Sequence, residues 1–193
     1  MEIAVTKRRT AETAKARREA RGQITEAGPV MEAAAAFLAA RPRSIGETKR
    51  RLRHPGYPRA LVDEVVARLV ELGYLDDDAF ARSWVESRDR ARPRGEYALR
   101  RELGQKGIAR SVVDEVMVDR SDLAGGEDAD RIAALALLAR RRAALEREPD
   151  PQKRRQRAYA LLARNGFDPE TCREASAALV NTDLGDNGAN ADR

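Results

Sequence analysis

A chain of 193 residues, 42% hydrophobic and 36% charged, has enough apolar material for a buried core but must carry a heavily charged surface. Aromatics at 4%, beside abundant Ala, Arg, Leu and Glu, favour helix over strand, because these side chains lose little rotamer freedom in a helix. A single cysteine excludes an internal disulfide framework and a Cys-based zinc cluster, and the 37 Lys+Arg against 32 Asp+Glu, net +5, are compatible with an anionic partner.

Residues 1–28 are polar and basic and lack the apolar stretch of a secretory signal. They read as a mobile extension, with a transient helix available over about residues 10–21. The first repeat occupies 29–75. Its helix a covers about 31–40 and ends before Pro42, and Ser44 N-caps helix b. Helix c, about 58–72, places Leu61, Val65, Leu69 and Leu72 on one face, and Gly73 stops it. The second repeat, 76–120, opens on Asp76, Asp77 and Asp78, an acidic start favourable to a helix N-terminus. Phe80, Trp84 and Val85 follow on its helix a, then helix b at about 95–105 and helix c at about 110–118.

Residues 121–128 form a polar loop with Gly125 and Gly126. The third repeat, 129–180, has a longer helix a of about 129–147, broken at Pro149 and Pro151, then helices over about 152–164 and 169–180. Residues 181–193 read as a disordered tail.

The repeat itself is visible as register. Leu52, Gly56 and Tyr57 match Leu103, Gly107 and Ile108, and again Leu162, Gly166 and Phe167. Apolar positions follow at Val62, Val113 and Cys172. The leucines stand 51 and then 59 residues apart. Each glycine belongs where a helix end needs a left-handed residue to satisfy its last carbonyls, and the apolar residue after it folds back on that helix end. Three-helix units of this size gain by burying surface against their neighbours. The expected fold is therefore all-α: three tandem three-helix repeats in an elongated molecule, straight or curved.

Catalytic signatures are missing. The sequence holds no phosphate-binding glycine loop, no HExxH and no GxSxG. His54, the one histidine, falls in a glycine turn, and Cys172 takes an apolar core position. No catalytic residue, metal site or cofactor is expected. With no apolar run long enough to span a bilayer, no membrane contact is expected either, and the chain reads as a cytoplasmic monomer.

Positive charge gathers at the corner between helices a and b of every repeat. Residues 41–53 carry Arg41, Arg43, Lys49, Arg50, Arg51 and Arg53 against Glu47 alone. Residues 82–101 and 140–157 are likewise arginine-rich, whereas the first two c helices are comparatively acidic. Arg50, Arg51, Arg92, Arg94, Arg100, Arg101, Arg141, Arg154 and Arg155 are the candidate partner contacts, chosen by charge clustering. The low aromatic content argues against a platform for stacking bases.

Arg43-Ser44 before a helix, Leu52, and then Leu69, Gly73-Tyr74-Leu75-Asp76-Asp77 and Phe80-Ala81 resemble the most distinctive stretch of the RecX family. Arg94-Gly95, Leu99, Glu102-Leu103 and Lys106-Gly107-Ile108 are similar to its second-repeat pattern, and Arg164, Gly166 and Phe167 to its third-repeat ending. The likeness covers about residues 33–180 and leaves the two ends outside. It implies a modulator of the recombinase RecA. Such a protein lodges in the groove of the RecA filament on single-stranded DNA and lowers ATP hydrolysis, strand exchange and co-protease activity, in recombination, DNA repair and the SOS response. Two other readings of the residues stay open: a helix-turn-helix DNA-binding protein, or a protein-interaction solenoid that never touches nucleic acid.

Overall fold

A computed structural model describes the backbone over residues 2–125 and 128–188 and the side chains over 12–125 and 128–179. Among the described residues there are ten helices and no strand: α1 (Glu2–Gly22), α2 (Gly28–Leu38), α3 (Ile45–Arg53), α4 (Arg59–Glu71), α5 (Asp77–Ala91), α6 (Glu96–Lys106), α7 (Arg110–Leu123), α8 (Ala129–Leu145), α9 (Pro151–Arg164) and α10 (Pro169–Gly188). Helices α2–α4, α5–α7 and α8–α10 form three three-helix repeats. The basic N-terminal segment is helical over α1, and α10 runs on to Gly188 where the sequence reading placed a tail from 181. Gly126, expected in the polar loop, lies outside the described residues, as do residues 189–193.

The chain divides into two compact units, residues 1–80 with 106–108 and residues 81–105 with 109–193. In the first unit Val30 and Ala34 of α2, Leu52 of α3 and Val62, Val65, Val66 and Leu69 of α4 form the core, closed by Leu75. The three- and four-residue spacing on α4 puts its apolar side chains on one stripe. In the second unit Ala133, Ala134, Leu137 and Leu138 of α8 meet Ala158 and Leu162 of α9, Phe167, and Cys172 and Ala175 of α10. Leu99, Leu103, Val113, Val116 and Met117 are buried in the same unit.

Local chemistry sets the helix ends. Ser44 Oγ accepts from the Glu47 N–H at 3.0 Å while Glu47 Oε2 accepts from the Ser44 N–H at 3.4 Å, a reciprocal capping box. Asp76 caps α5 through the N–H groups of Asp78 and Ala79, and Asp150 caps α9 through those of Gln152 and Lys153. Gly56, Gly107 and Gly166 have φ of 103°, 84° and 83°, the left-handed conformation that ends each helix b.

Those three turns also receive a neighbour. Ser44 Oγ donates to the Lys106 carbonyl at 2.7 Å, and Gly46 sits so close that a Cβ on it would lie 2.6 Å from the same oxygen. In the second unit the Gly95 N–H donates to the Asn165 carbonyl at 3.1 Å, and the backbone of Gly166 lies against Gly95 and Ala98. The Gly56 turn is covered by α1, where the Arg18 carbonyl would stand 2.8 Å from a Cβ on Gly56. Two aspartates complete the pattern. Asp77 accepts from the Ile45 N–H at 2.9 Å, and Asp130 accepts from the Glu96 N–H at 2.9 and 3.1 Å. The start of each of the first two b helices is thus held by the first turn of the next repeat's helix a and by the next repeat's glycine turn.

Candidate functional site

An ion-pair pattern repeats with the same 51-residue register as the leucines. Lys49 Nζ and Arg53 Nη2 lie 3.0 and 2.8 Å from Asp63 Oδ1, and Arg59 Nε lies 3.8 Å from Asp63 Oδ2. The hydrogen bond from Lys49 is the largest influence on the Asp63 carboxyl and holds it below its usual range. In the next repeat Arg100 pairs with Asp114 and with Glu96, and Arg110 Nε lies 3.8 Å from Asp114. Arg100 therefore takes the place of Lys49 in a tie between helix b and helix c.

Two further candidate arginines make internal bonds. Arg94 Nη1 donates to Asn165 Oδ1 at 2.5 Å, and its Nε is 3.6 Å from Glu102 Oε1. Arg154 Nε donates to the Glu148 carbonyl at 3.0 Å, fastening α9 to the turn before it. The remaining six, Arg50, Arg51, Arg92, Arg101, Arg141 and Arg155, are exposed. Arg51 lies 5.8 Å from the centre of the Phe37 ring. Among the described residues, Arg92, Arg101, Arg141 and Arg155 carry no ion pair.

Arg50 and Arg51 belong to the first unit and the other seven to the second. Within the second unit Arg140 donates to the carbonyls of Ala91, at 2.9 Å, and Arg90. A guanidinium on the last carbonyls of α5 satisfies orphan acceptors and opposes the negative end of the helix dipole. It also carries the middle of α8, with Arg141, to the corner that bears Arg92.

Charge counting gave no sign of Arg120. Its side chain is 8% exposed. Nε and Nη2 grip Asp89 at 2.9 and 3.0 Å, and Nη1 meets Asp130 at 2.6 Å. Burial is the main influence on Asp130 and holds its carboxyl above the usual range, although Arg120 and the Glu96 N–H both oppose that shift. Beside this cluster a groove of about 410 Å³ runs between α5, α7 and α8. Val85, Val116, Ala124, Ala133 and Ala136 line it, with Arg82, Glu86, Asp89 and Asp119 at its edges. Leu123, at the end of α7, is 88% exposed on its rim.

Among the described residues, no three His, Cys, Asp or Glu side chains are grouped to hold a metal ion. Cys172 is fully buried with Sγ 3.6 Å from the Phe167 carbonyl, and burial pushes its thiol pKa up. No helix of the described residues is long and apolar enough to cross a membrane.

Family models for the first, second and third three-helix domains of RecX match residues 31–69, 76–117 and 128–175. A regulatory protein RecX from Chlorobium phaeobacteroides (strain BS1) is 34% identical over 142 residues, covering 72% of this chain and 85% of that protein. One from Mycobacterium sp. (strain JLS) is 36% identical over 132 residues, 68% and 70% of the two chains. The crystal structure of RecX from Lactobacillus salivarius superimposes with a TM-score of 0.65 at 16% identity, over 79% of this chain and 96% of that one. A likeness at that identity speaks for the fold.

Proposed function

The chain belongs to the RecX family, and on that premise we propose that it regulates RecA by occupying the groove of the RecA filament on single-stranded DNA. Regulation is by binding, with no chemistry supplied by this chain. A monomer seated across neighbouring filament subunits lowers ATP hydrolysis, strand exchange and co-protease activity. It works in the cytoplasm, where the filament forms.

The observation that carries this reading is the set of exposed arginines at the helix corners of a RecX-type scaffold. Arg92, Arg101, Arg141 and Arg155 lack internal ion pairs among the described residues, so their charge is available to an anionic surface. Arg94, Arg100 and Arg154 act chiefly by holding those corners in shape, as their internal bonds require. The groove beside Arg120 offers a protein partner an apolar recess with charged edges, the usual composition of an interface patch.

Titrating the purified protein into RecA on single-stranded DNA should lower the ATPase rate in proportion to occupancy. No change across a saturating titration would sink the proposal. Reversing Arg92, Arg101 and Arg155 together to Glu should weaken filament binding by about tenfold or more, with helix content unchanged. Gel shifts on duplex and single-stranded DNA, with and without RecA, separate this reading from duplex-specific recognition and from pure protein interaction.

A further inference from the structure

The first two repeats solve the same corner in opposite ways. In the second, Glu102 on α6 is the centre of a compact cluster. Its Oε2 accepts from Trp84 Nε1 at 2.9 Å and from Arg88 Nε at 2.8 Å, and its Oε1 lies 3.6 Å from Arg94 Nε. Arg88 also covers the Trp84 ring at 4.1 Å. An aromatic ring, two guanidinium groups and one carboxylate close on one another.

A shift of 51 residues toward the N-terminus, the register that relates Leu103 to Leu52, turns Arg94 into Arg43 and Glu102 into Arg51. An aromatic ring is still there, now Phe37 on α2. Arg43 lies 4.2 Å and Arg51 5.8 Å from its centre, so the two cations are no farther apart than those distances combined. The carboxylate has become an arginine. Among the described residues neither guanidinium has an acidic partner; the buried Nε of Arg43, like that of Arg94, makes no hydrogen bond, but only Arg94 has a carboxylate beside it.

Two like charges held on one ring repel each other, and cation–π attraction only partly offsets the cost of desolvation. The backbone at Arg43 is fixed, because Ser44, next to it, is fully buried and tied to the Lys106 carbonyl, while Arg51 faces solvent. Such a pair is at its most stable around an external anion.

We infer that Phe37, Arg43 and Arg51 form an anion-binding site that takes a phosphodiester of single-stranded DNA. The choice of DNA rests on the function proposed above. The chemistry supports it: each guanidinium can donate paired N–H groups to the free oxygens of a phosphate, a geometry that Lys cannot reproduce. Arg41, Lys49 and Arg53 are paired with Glu47 and Asp63, but the exposed Arg50 adds positive charge beside Arg51, which favours a continuous polyanion over an isolated carboxylate.

The second repeat supplies the decisive variant. Arg51→Glu should rebuild the internal pair that Arg94 makes with Glu102, so thermal stability stays level or rises while the anion site is filled from within. Binding of a fluorescein-labelled oligothymidylate, followed by anisotropy without RecA, should weaken about tenfold, and the slope of log K against log salt should flatten by about 0.7 for each phosphate no longer neutralised. Should Arg51→Glu fail to fold, Arg43→Gln and Arg51→Gln test the same site and should each weaken binding. Unchanged affinity in folded variants overturns the inference. So does polyglutamate binding as tightly as the oligonucleotide, because the site would then serve an acidic protein. RecA inhibition by the wild-type chain is measured separately. Its absence overturns the proposed function, whereas unchanged oligonucleotide binding in the variants overturns this site alone.

Discussion

Replacing Gly46 with alanine adds one methyl group at the point where the start of α3 meets the Lys106–Gly107 turn. Gly46 is not among the glycines with positive φ, so alanine suits its backbone and would by propensity alone stabilise α3 by roughly 0.5–1 kcal/mol. Space decides otherwise. The new Cβ would lie 2.6 Å from the Lys106 carbonyl oxygen and 2.9 Å from the Gly107 Cα, and both are backbone atoms that cannot swing aside. Overpacking of this kind costs about 1–3 kcal/mol. Moving the turn away also stretches the 2.7 Å bond from Ser44 Oγ to Lys106, worth about 1 kcal/mol. The net expectation is a destabilisation of about 2 kcal/mol, or roughly 4–8 °C in Tm for a chain of this size. Gly104→Ala is the control. That glycine lies inside α6 with open space around its missing Cβ, so alanine should stabilise by up to about 1 kcal/mol. Urea unfolding followed by far-UV circular dichroism measures both. If Gly46→Ala matches or exceeds the wild type, the close approach of α3 to the glycine turn is not what holds the joint.

Arg120→Met should cost about 3 kcal/mol at neutral pH, because it strands the buried carboxylate of Asp130; the deficit in denaturation midpoint should shrink in acid as that carboxylate takes up a proton. Glu47 runs the other way. Burial alone would raise its pKa, but Lys106, the Ser44 N–H and Arg41 together bring it below the ordinary value of 4.5. A carboxyl with a lowered folded pKa stabilises above its unfolded pKa and loses that stabilisation as pH falls through the folded one. Glu47→Gln should therefore be less stable than wild type by about 1 kcal/mol at pH 7, with the two denaturation midpoints converging below pH 4.5. Cys172, buried and with a raised thiol pKa, should resist iodoacetamide in the native protein and react on unfolding. Rapid native labelling by mass spectrometry would contradict its core position.

Much of the fold is local and therefore legible without coordinates. Helix periodicity, the Ser44 and Asp76 caps and the recurring Leu-to-Gly spacing depend on neighbours within a turn or two. The three three-helix repeats emerge from them. The ion pairs of Lys49 with Asp63 and Arg100 with Asp114 follow the same register, so even these could have been read once the repeat was aligned.

Other features depend on pairs far apart in the chain. A count of charges treats Arg94 and Arg92 alike, yet Arg94 meets Asn165, 71 positions away, while Arg92 stays exposed. Asp77 and Asp130 look like ordinary first-turn acids. Folding delivers each to the backbone N–H of a helix 32 or 34 residues earlier. The order and composition of the residues by themselves settle that the chain is helical, repetitive and basic, because those properties are written in local patterns and their spacing. Tertiary structure alone decides which cations are neutralised, because neutralisation depends on a few ångströms between side chains that the sequence keeps apart.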